Sequence, residues 1–113
     1  MDQDFQIEQR AGSTPPLVTV RGEIDVATAP QLRECLHNVI AQGEGSIVLD
    51  LLGVTFLDST ALGVLVGALK RCRESGGELY VVVADPRIVK IFEITGLTSV
   101  FTIVDSLESV GAA

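Results

Sequence analysis

Asp58, Ser59 and Thr60 bring a carboxylate and two hydroxyl groups together at the start of an apolar stretch. Taken by itself, Ser59 suits the N-cap of a helix, where its hydroxyl accepts a hydrogen bond from a first-turn backbone N–H. Asp58 then puts a negative charge at the positive end of the helix dipole. The residue types and their order therefore predict that Ser59 opens a helix as its cap.

Catalysis by these groups needs partners that the sequence does not provide. A serine nucleophile requires a base, and the only histidine, His37, has no predicted position near Ser59. Asp25 and Asp58 both follow predicted strands and could face each other, but no second catalytic group accompanies them. The sequence has no P-loop pattern and no His/Cys/Asp cluster at metal-ligand spacing. We therefore predict no catalytic residue, no metal, no cofactor and no enzyme activity.

The predicted helix after Ser59 has two different faces. Steps of 3.6 residues put one set of apolar side chains on the face predicted to meet the core, namely Leu62, Leu65, Val66, Leu69 and Cys72. The opposite face is nearly uncharged near Ser59 and becomes basic farther along, with Thr60, Gly63, Val64, Gly67, Lys70 and Arg71. A helical glycine costs about 1 kcal/mol relative to alanine. Two glycines on an outer face therefore indicate a docking surface that another backbone approaches closely.

Length and composition limit the protein class. The 113 residues are 47% hydrophobic and 20% charged, which is typical of one packed domain, and we treat 1–113 as a single domain. A net charge of −7 disfavours nucleic acid and anionic membranes as partners. The longest apolar run, residues 61–69, is too short to span a bilayer, and no signal-peptide pattern begins the sequence. We expect a cytoplasmic protein.

The order of strand and helix signals predicts the fold class. Strands are predicted at residues 4–9, 17–24, 46–52, 78–84 and 100–104, with the first antiparallel to the second. Helices are predicted from Thr28, with capping-box spacing to Gln31, and after Ser59, Asp85 and Asp105. Alternation of strands and helices indicates parallel strands joined by right-handed crossovers. We predict an α/β fold with a mixed sheet of four to five strands packed against about four helices.

Several segments resemble the STAS domain of bacterial anti-sigma factor antagonists. They are Val20-Arg21-Gly22-Glu23-Ile24-Asp25, Ala29-Pro30-Gln31-Leu32, Phe56-Leu57-Asp58-Ser59-Thr60, Leu62-Gly63-Val64-Leu65-Val66-Gly67, Ile88-Val89-Lys90-Ile91-Phe92 and Thr95-Gly96-Leu97. The resemblance covers nearly the whole chain and is greatest to the actinobacterial antagonists. Those proteins tend to have glycine after the Ser-Thr pair, where this chain has Ala61.

The resemblance implies the STAS fold and a partner-switching function. In such proteins the unphosphorylated antagonist binds an anti-sigma factor and frees a sigma factor. The anti-sigma factor is also a serine kinase that phosphorylates the helix-opening serine, and a serine phosphatase resets the protein. By position, Ser59 is the phosphorylation site and Thr60 the alternative. The resemblance and the outer helix face together imply a partner-binding set of Asp25, Asp58, Thr60, Ala61, Gly63, Val64 and Gly67.

Two alternative hypotheses stay open at this point. In the first, the protein is a constitutive scaffold or a ligand-sensing STAS module, and Ser59 is only a cap. In the second, it is an antagonist regulated through the thiol of Cys35 or Cys72. Both cysteines occupy apolar positions of predicted helices, which is typical of small buried hydrophobic residues in a reducing compartment.

Overall fold

The computed structural model describes residues 5–10, 14–43 and 45–111, and strands alternate with helices through these ranges. Beside the α-helices there is one short 3-10 helix, Leu97–Ser99. In chain order the other elements are β1 (Gln6–Arg10), β2 (Leu17–Ile24), α1 (Ala29–Gln42), β3 (Ile47–Leu57), α2 (Ser59–Glu74), β4 (Leu79–Val82), α3 (Pro86–Ile94), β5 (Thr102–Val104) and α4 (Leu107–Gly111).

The strands form one mixed sheet of five strands in the order β1-β2-β3-β4-β5. β1 pairs with β2 in antiparallel fashion, and every later pair of neighbours is parallel. A helix connects each parallel pair, and such crossovers are right-handed, so α1, α2 and α3 lie on the same face of the sheet. The predicted α/β fold with a mixed sheet is confirmed, and the strand order, which the sequence did not predict, follows the chain.

The hydrophobic core lies between these helices and the sheet. In β2, alternate residues face it, and Val18, Val20 and Ile24 are fully buried. β3 is buried at every position over residues 47–51, and Ile47, Leu49 and Leu51 belong to this core. The predicted core face of α2 is confirmed at Leu62, Leu65, Leu69 and Cys72, whereas Val66 is only half-buried.

β3 is longer than the sequence predicts. The residue pattern predicts a strand at residues 46–52 followed by a turn, but the strand continues to Leu57. Pairing with β2 persists through two register shifts, so that Ile24 lies opposite Leu57. Gly53 permits this pairing, because a Cβ at that position would lie 2.9 Å from Cγ of Arg21. Because the strand ends at Leu57, Asp58 lies at the edge of the sheet where β2 and β3 end.

Two further predictions concern the first residues of α1 and β1. The capping box at Thr28 is wrong, because Thr28 is the N-cap of α1 but its side chain makes no capping hydrogen bond. Its hydroxyl instead donates to the carbonyl oxygen of Glu23 at 3.0 Å and accepts the Asp25 N–H at 2.9 Å. β1 begins at Gln6, and the predicted strand residue Asp4 lies outside the described residues.

Candidate functional site: the junction of β3 and α2

Asp58 is the residue that caps α2. Its backbone is extended and its Oδ1 accepts a hydrogen bond from the Ala61 N–H at 3.0 Å. The predicted N-cap at Ser59 is therefore wrong by one position. Aspartate and serine are equally good caps, and the carboxylate also gains from the helix dipole. Because β3 runs on to Leu57, Asp58 is the residue with extended backbone at the helix start, and the capping role falls to it.

Ser59 is the first residue of α2, and its side chain is exposed. Within the described part of the chain, its hydroxyl forms no hydrogen bond. The first-turn N–H groups of Ser59 and Thr60 have no carbonyl partner inside the helix, as in any α-helix. The junction thus combines a free hydroxyl, two N–H groups and the capping carboxylate at one end of α2.

Asp25 organises the neighbouring turn between β2 and α1. Its Oδ1 accepts the N–H groups of Ala27 at 2.9 Å and Thr28 at 3.2 Å. These bonds hold the chain in a tight turn before α1, which begins at Ala29. The carboxylate is half-buried and serves the backbone of its own turn.

The structure brings the two turns together at one edge of the sheet. Ile24 and Leu57 are register partners, and the Asp58 N–H donates to the Ile24 carbonyl oxygen at 3.2 Å. Asp25 and Asp58 therefore follow adjacent strand ends, as the sequence predicts. Oδ1 of each carboxylate accepts backbone N–H groups of its own turn, so both aspartates stabilise the turns in which they lie.

The outer face of α2 beside this junction is smooth. Thr60 and Gly63 are exposed, and Gly67 is half-buried. A Cβ added at Gly63 or Gly67 would meet no atom within 4 Å. Neither glycine is therefore required by packing inside the chain. Alanine would fit at both positions and would favour the helix by about 1 kcal/mol at each.

Two members of the predicted partner-binding set do not lie fully on this surface. Ala61 is 0% exposed and belongs to the core, so its side chain cannot contact a partner directly, contrary to the sequence prediction. A first-turn residue faces inward here because β3 brings the helix start down onto the sheet. Val64 is half-buried and packs against the core, so it is only partly an outer residue.

Two exposed apolar residues near the junction were missed by the sequence analysis. Phe56 is 46% exposed and pairs with Glu23, next to the Ile24–Leu57 pair. Val26 is 71% exposed in the Asp25 turn. The sequence predicts a turn after residue 52, so the exposure of Phe56 could be inferred only once the strand is known to reach Leu57.

His37 and the two cysteines are not part of the junction. Burial and the charges of Arg71 and Arg33 lower the pKa of His37, and Arg71 lies twelve residues, about 18 Å of helix, beyond Ser59. Burial raises the pKa of Cys35, and burial together with Glu78 raises the pKa of Cys72 to about 11. Both thiols are thus disfavoured as thiolates, the reactive form.

Among residues 5–10, 14–43 and 45–111, no group of three or more His, Cys, Asp and Glu side chains could hold a metal ion. No helix there is long and apolar enough to cross a membrane.

Sequence comparison relates nearly the whole chain to known proteins. A family model described as the STAS domain matches residues 5–110. A relative from Staphylococcus aureus (strain NCTC 8325 / PS 47), named anti-sigma-B factor antagonist, is 40% identical over 91 residues, which are 80% of this chain and 84% of that protein.

Solved structures share the fold. An anti-sigma factor antagonist from Mycobacterium paratuberculosis is similar with a TM-score of 0.79 and 30% identity, covering 93% of this chain and 87% of that one. The Bacillus cell fate determinant SpoIIAA, solved in its phosphorylated form, gives a TM-score of 0.72 at 19% identity, covering 95% and 98% of the two chains. At that identity the second likeness concerns the fold alone.

Proposed function

Because the chain belongs to the STAS domain family, we propose that it is an anti-sigma factor antagonist that works by partner switching. Its unphosphorylated form binds an anti-sigma factor with serine kinase activity and frees a sigma factor. Phosphorylation of Ser59 switches this binding off, and a serine phosphatase restores it. The names of relatives such as the antagonist from S. aureus support the general function. The kinase, the phosphatase and the role of Ser59 are specific parts of the proposal.

The observation that carries the proposal is the state of Ser59. The hydroxyl is exposed and unengaged within the described part of the chain, because Asp58 performs the capping. A kinase can therefore reach the oxygen without opening the helix. Within the described residues, this serine also makes no structural hydrogen bond that modification would disturb.

A phosphate on Ser59 is compatible with the folded protein. Phosphorylation adds about −1.5 to −2 charges and three acceptor oxygens. The N–H groups of Ser59 and Thr60 and the positive end of the α2 dipole can stabilise this anion. The adjacent Asp58 carboxylate opposes it, but Ser59 is exposed, so solvent around the phosphate screens the repulsion. We therefore expect phosphorylation to alter the surface and to leave the fold intact.

The same charge acts strongly against a partner that covers the junction. A bound partner would have to desolvate the phosphate or leave it unpaired, which costs several kcal/mol. A penalty of about 2.8 kcal/mol corresponds to a hundredfold loss of affinity. Electrostatics and desolvation at one residue are therefore sufficient for a switch.

The two glycines support docking at this face. Gly63 and Gly67 lie on α2 one and two turns beyond Ser59, and neither is required by contacts within the chain. A partner backbone or bulky side chain could approach the helix closely there. Regulation through the cysteines receives no comparable support, because burial holds both as thiols.

Phosphate mapping tests the proposal. The purified protein is incubated with a candidate anti-sigma factor kinase and ATP, and the modified residue is located by mass spectrometry. Incorporation should occur at Ser59 and disappear in Ser59→Ala, which should still bind the anti-sigma factor. Ser75→Ala, an exposed serine at the C-cap of the same helix, is the matched control and should be phosphorylated normally. Phosphate on Thr60 would select the alternative acceptor. No phosphate in a complex that does form would favour the constitutive scaffold.

A further inference from the structure

Three basic residues, Arg33 and His37 of α1 and Arg71 of α2, lie along the seam between the two helices. Arg33 and His37 are one turn apart on α1 and so share a flank of that helix. The opposite flank carries Cys35, whose Sγ accepts a hydrogen bond from Gln9 Nε2 of β1 at 3.4 Å. Because the Cys35 flank faces β1, Arg33 and His37 lie on the flank that faces α2.

The orientation of α2 is set independently. Arg73 donates to Glu78 at 3.1 Å and to the Val100 carbonyl oxygen at 3.0 Å, so its flank faces β4 and β5. Arg71, two residues earlier, lies on the other flank, which faces α1. The lowered pKa of His37, caused by burial and then by Arg71 and Arg33, agrees with this convergence. We call Arg33, His37 and Arg71 the basic cluster.

The charges of the basic cluster are not neutralised by this chain as far as the structure describes it. Arg33 and Arg71 form no ion pair within the described ranges. The chain has 15 aspartates and glutamates but only 8 lysines and arginines, so acidic partners for these arginines are plentiful. Glu34 adjoins Arg33, and Glu74 is one turn from Arg71, yet neither pairs with its neighbour. Arg33 and Arg71 are therefore two exposed cations that an acidic partner can approach.

The basic cluster continues the smooth face of α2. Thr60, Val64, Gly67 and Arg71 follow each other at spacings of four, three and four residues, which keeps them on one side of the helix. The row is about 17 Å long. A partner lying along it from Ser59 would reach Arg71 and, across the seam, Arg33.

We propose that the basic cluster binds an acidic surface of the anti-sigma factor while the Ser59 end of α2 is covered. This inference rests on the proposed function and adds a second contact region with a stated charge. The two regions have different tasks. The junction at Ser59 decides by its phosphorylation state whether the complex is stable, and the basic cluster steers and orients an acidic partner.

An acidic protein surface fits the basic cluster better than a nucleic acid does. Three basic groups, one of them a histidine with a lowered pKa, neutralise few phosphates, and the net charge of −7 repels a polyanion. An acidic patch of a folded partner needs only local complementarity. Binding of a DNA duplex to the basic cluster is one outcome of the test below.

The test measures association and dissociation rates with the purified anti-sigma factor at several salt concentrations. The variant Arg33→Gln/Arg71→Gln removes two charges, and Lys90→Gln is the matched control, since Lys90 is an exposed cation on α3 outside the row. Thermal unfolding of each variant verifies folding. In the double variant we expect an association rate at least about fivefold lower at low salt, with a flatter salt dependence and a nearly unchanged dissociation rate. Lys90→Gln should behave like the wild type.

The outcomes separate the two proposals. If the wild type binds, Ser59→Glu weakens binding, and the double variant matches Lys90→Gln in rates and salt dependence, the role of the basic cluster is overturned and the proposed function stands. If the wild type does not bind any anti-sigma factor, the proposed function fails and this inference fails with it. Salt-sensitive binding of a 20-base-pair DNA duplex by the wild type, lost in the double variant, would also overturn the acidic-protein assignment.

Discussion

At the scale of the residue, Asp58 and Ser59 have separate roles, so that Asp58 caps the helix while the hydroxyl of Ser59 is left for the phosphorylation that we propose. Asp58 accepts the hydrogen bond of the Ala61 N–H, and its negative charge interacts favourably with the helix dipole. Ser59 is therefore not needed as the cap. Aspartate and serine have similar preferences for the N-cap position, so the sequence alone does not decide which of the two residues caps α2. The end of β3 at Leu57 decides it.

Substitutions at these two residues should differ in their effect on stability. Asp58→Ala removes the cap and should lower the free energy of unfolding by about 1 kcal/mol. Ser59→Ala removes an exposed, unengaged hydroxyl and should change it by less than about 0.5 kcal/mol. Urea unfolding of both variants, with Asp58→Asn as the cap-preserving control, measures the difference. A larger loss for Ser59→Ala than for Asp58→Ala would contradict the assignment of the cap.

At the scale of the element, α2 has an inner face fixed by packing and an outer face whose glycines have no role inside the chain. The inner face was predictable because its apolar residues recur at helical spacing, which is local information. The length of β3, the inward position of Ala61 and the exposure of Phe56 were not. They depend on pairing with β2 and on how the helix meets the sheet, which are contacts between residues distant in sequence.

Replacing Gly63 or Gly67 of α2 should raise the stability of the protein and weaken its binding to the anti-sigma factor. Gly63→Ala and Gly67→Ala should each raise the free energy of unfolding by about 1 kcal/mol, because the Cβ fits and the helix propensity improves. Each should also weaken binding of the anti-sigma factor by obstructing close approach. Calorimetry with the partner and urea unfolding of the free protein measure the two effects.

Asn38→Ala, at an exposed position of α1, is the control that should gain stability without losing affinity. Tighter binding by the glycine variants would refute close docking.

The C-terminal end of α2 is tied to the sheet by a charged network with a predictable pH response. Arg73 and the Thr102 hydroxyl, at 2.6 Å, hydrogen-bond Glu78, and these bonds lower its pKa below the ordinary 4.5. The carboxylate takes up a proton more readily in the unfolded chain. Its stabilising contribution is therefore complete above about pH 4.5 and is lost as pH falls through the lower folded-state value.

Glu78→Gln tests this network. The variant should be less stable than the wild type at neutral pH, and its stability should fall less between pH 5 and about pH 3. Urea unfolding across that range measures the slope. Glu93→Gln, an exposed glutamate on α3 without an ion pair in the described structure, should retain the wild-type slope. An unchanged slope in Glu78→Gln would show that the network does not couple to folding.

At the scale of the whole molecule, the sheet places the turns of Asp25 and Asp58 side by side at one edge, next to the start of α2, where we propose that a partner docks. The fold class follows from the order of strands and helices, and family membership from the match over residues 5–110. Neither specifies the partner. Our proposal of an acidic partner surface depends on the basic cluster, which a chain of net charge −7 carries along α1 and α2.

The most direct test of the central claim compares the affinity of the anti-sigma factor for the protein before and after phosphorylation. Both forms are purified, their modification state is verified by mass spectrometry, and their fold is compared by circular dichroism. We predict an unchanged spectrum, one phosphate at Ser59 and a dissociation constant at least about a hundredfold higher for the phosphorylated form. Equal affinities of the two folded forms would contradict the proposal that the charge on Ser59 controls the complex.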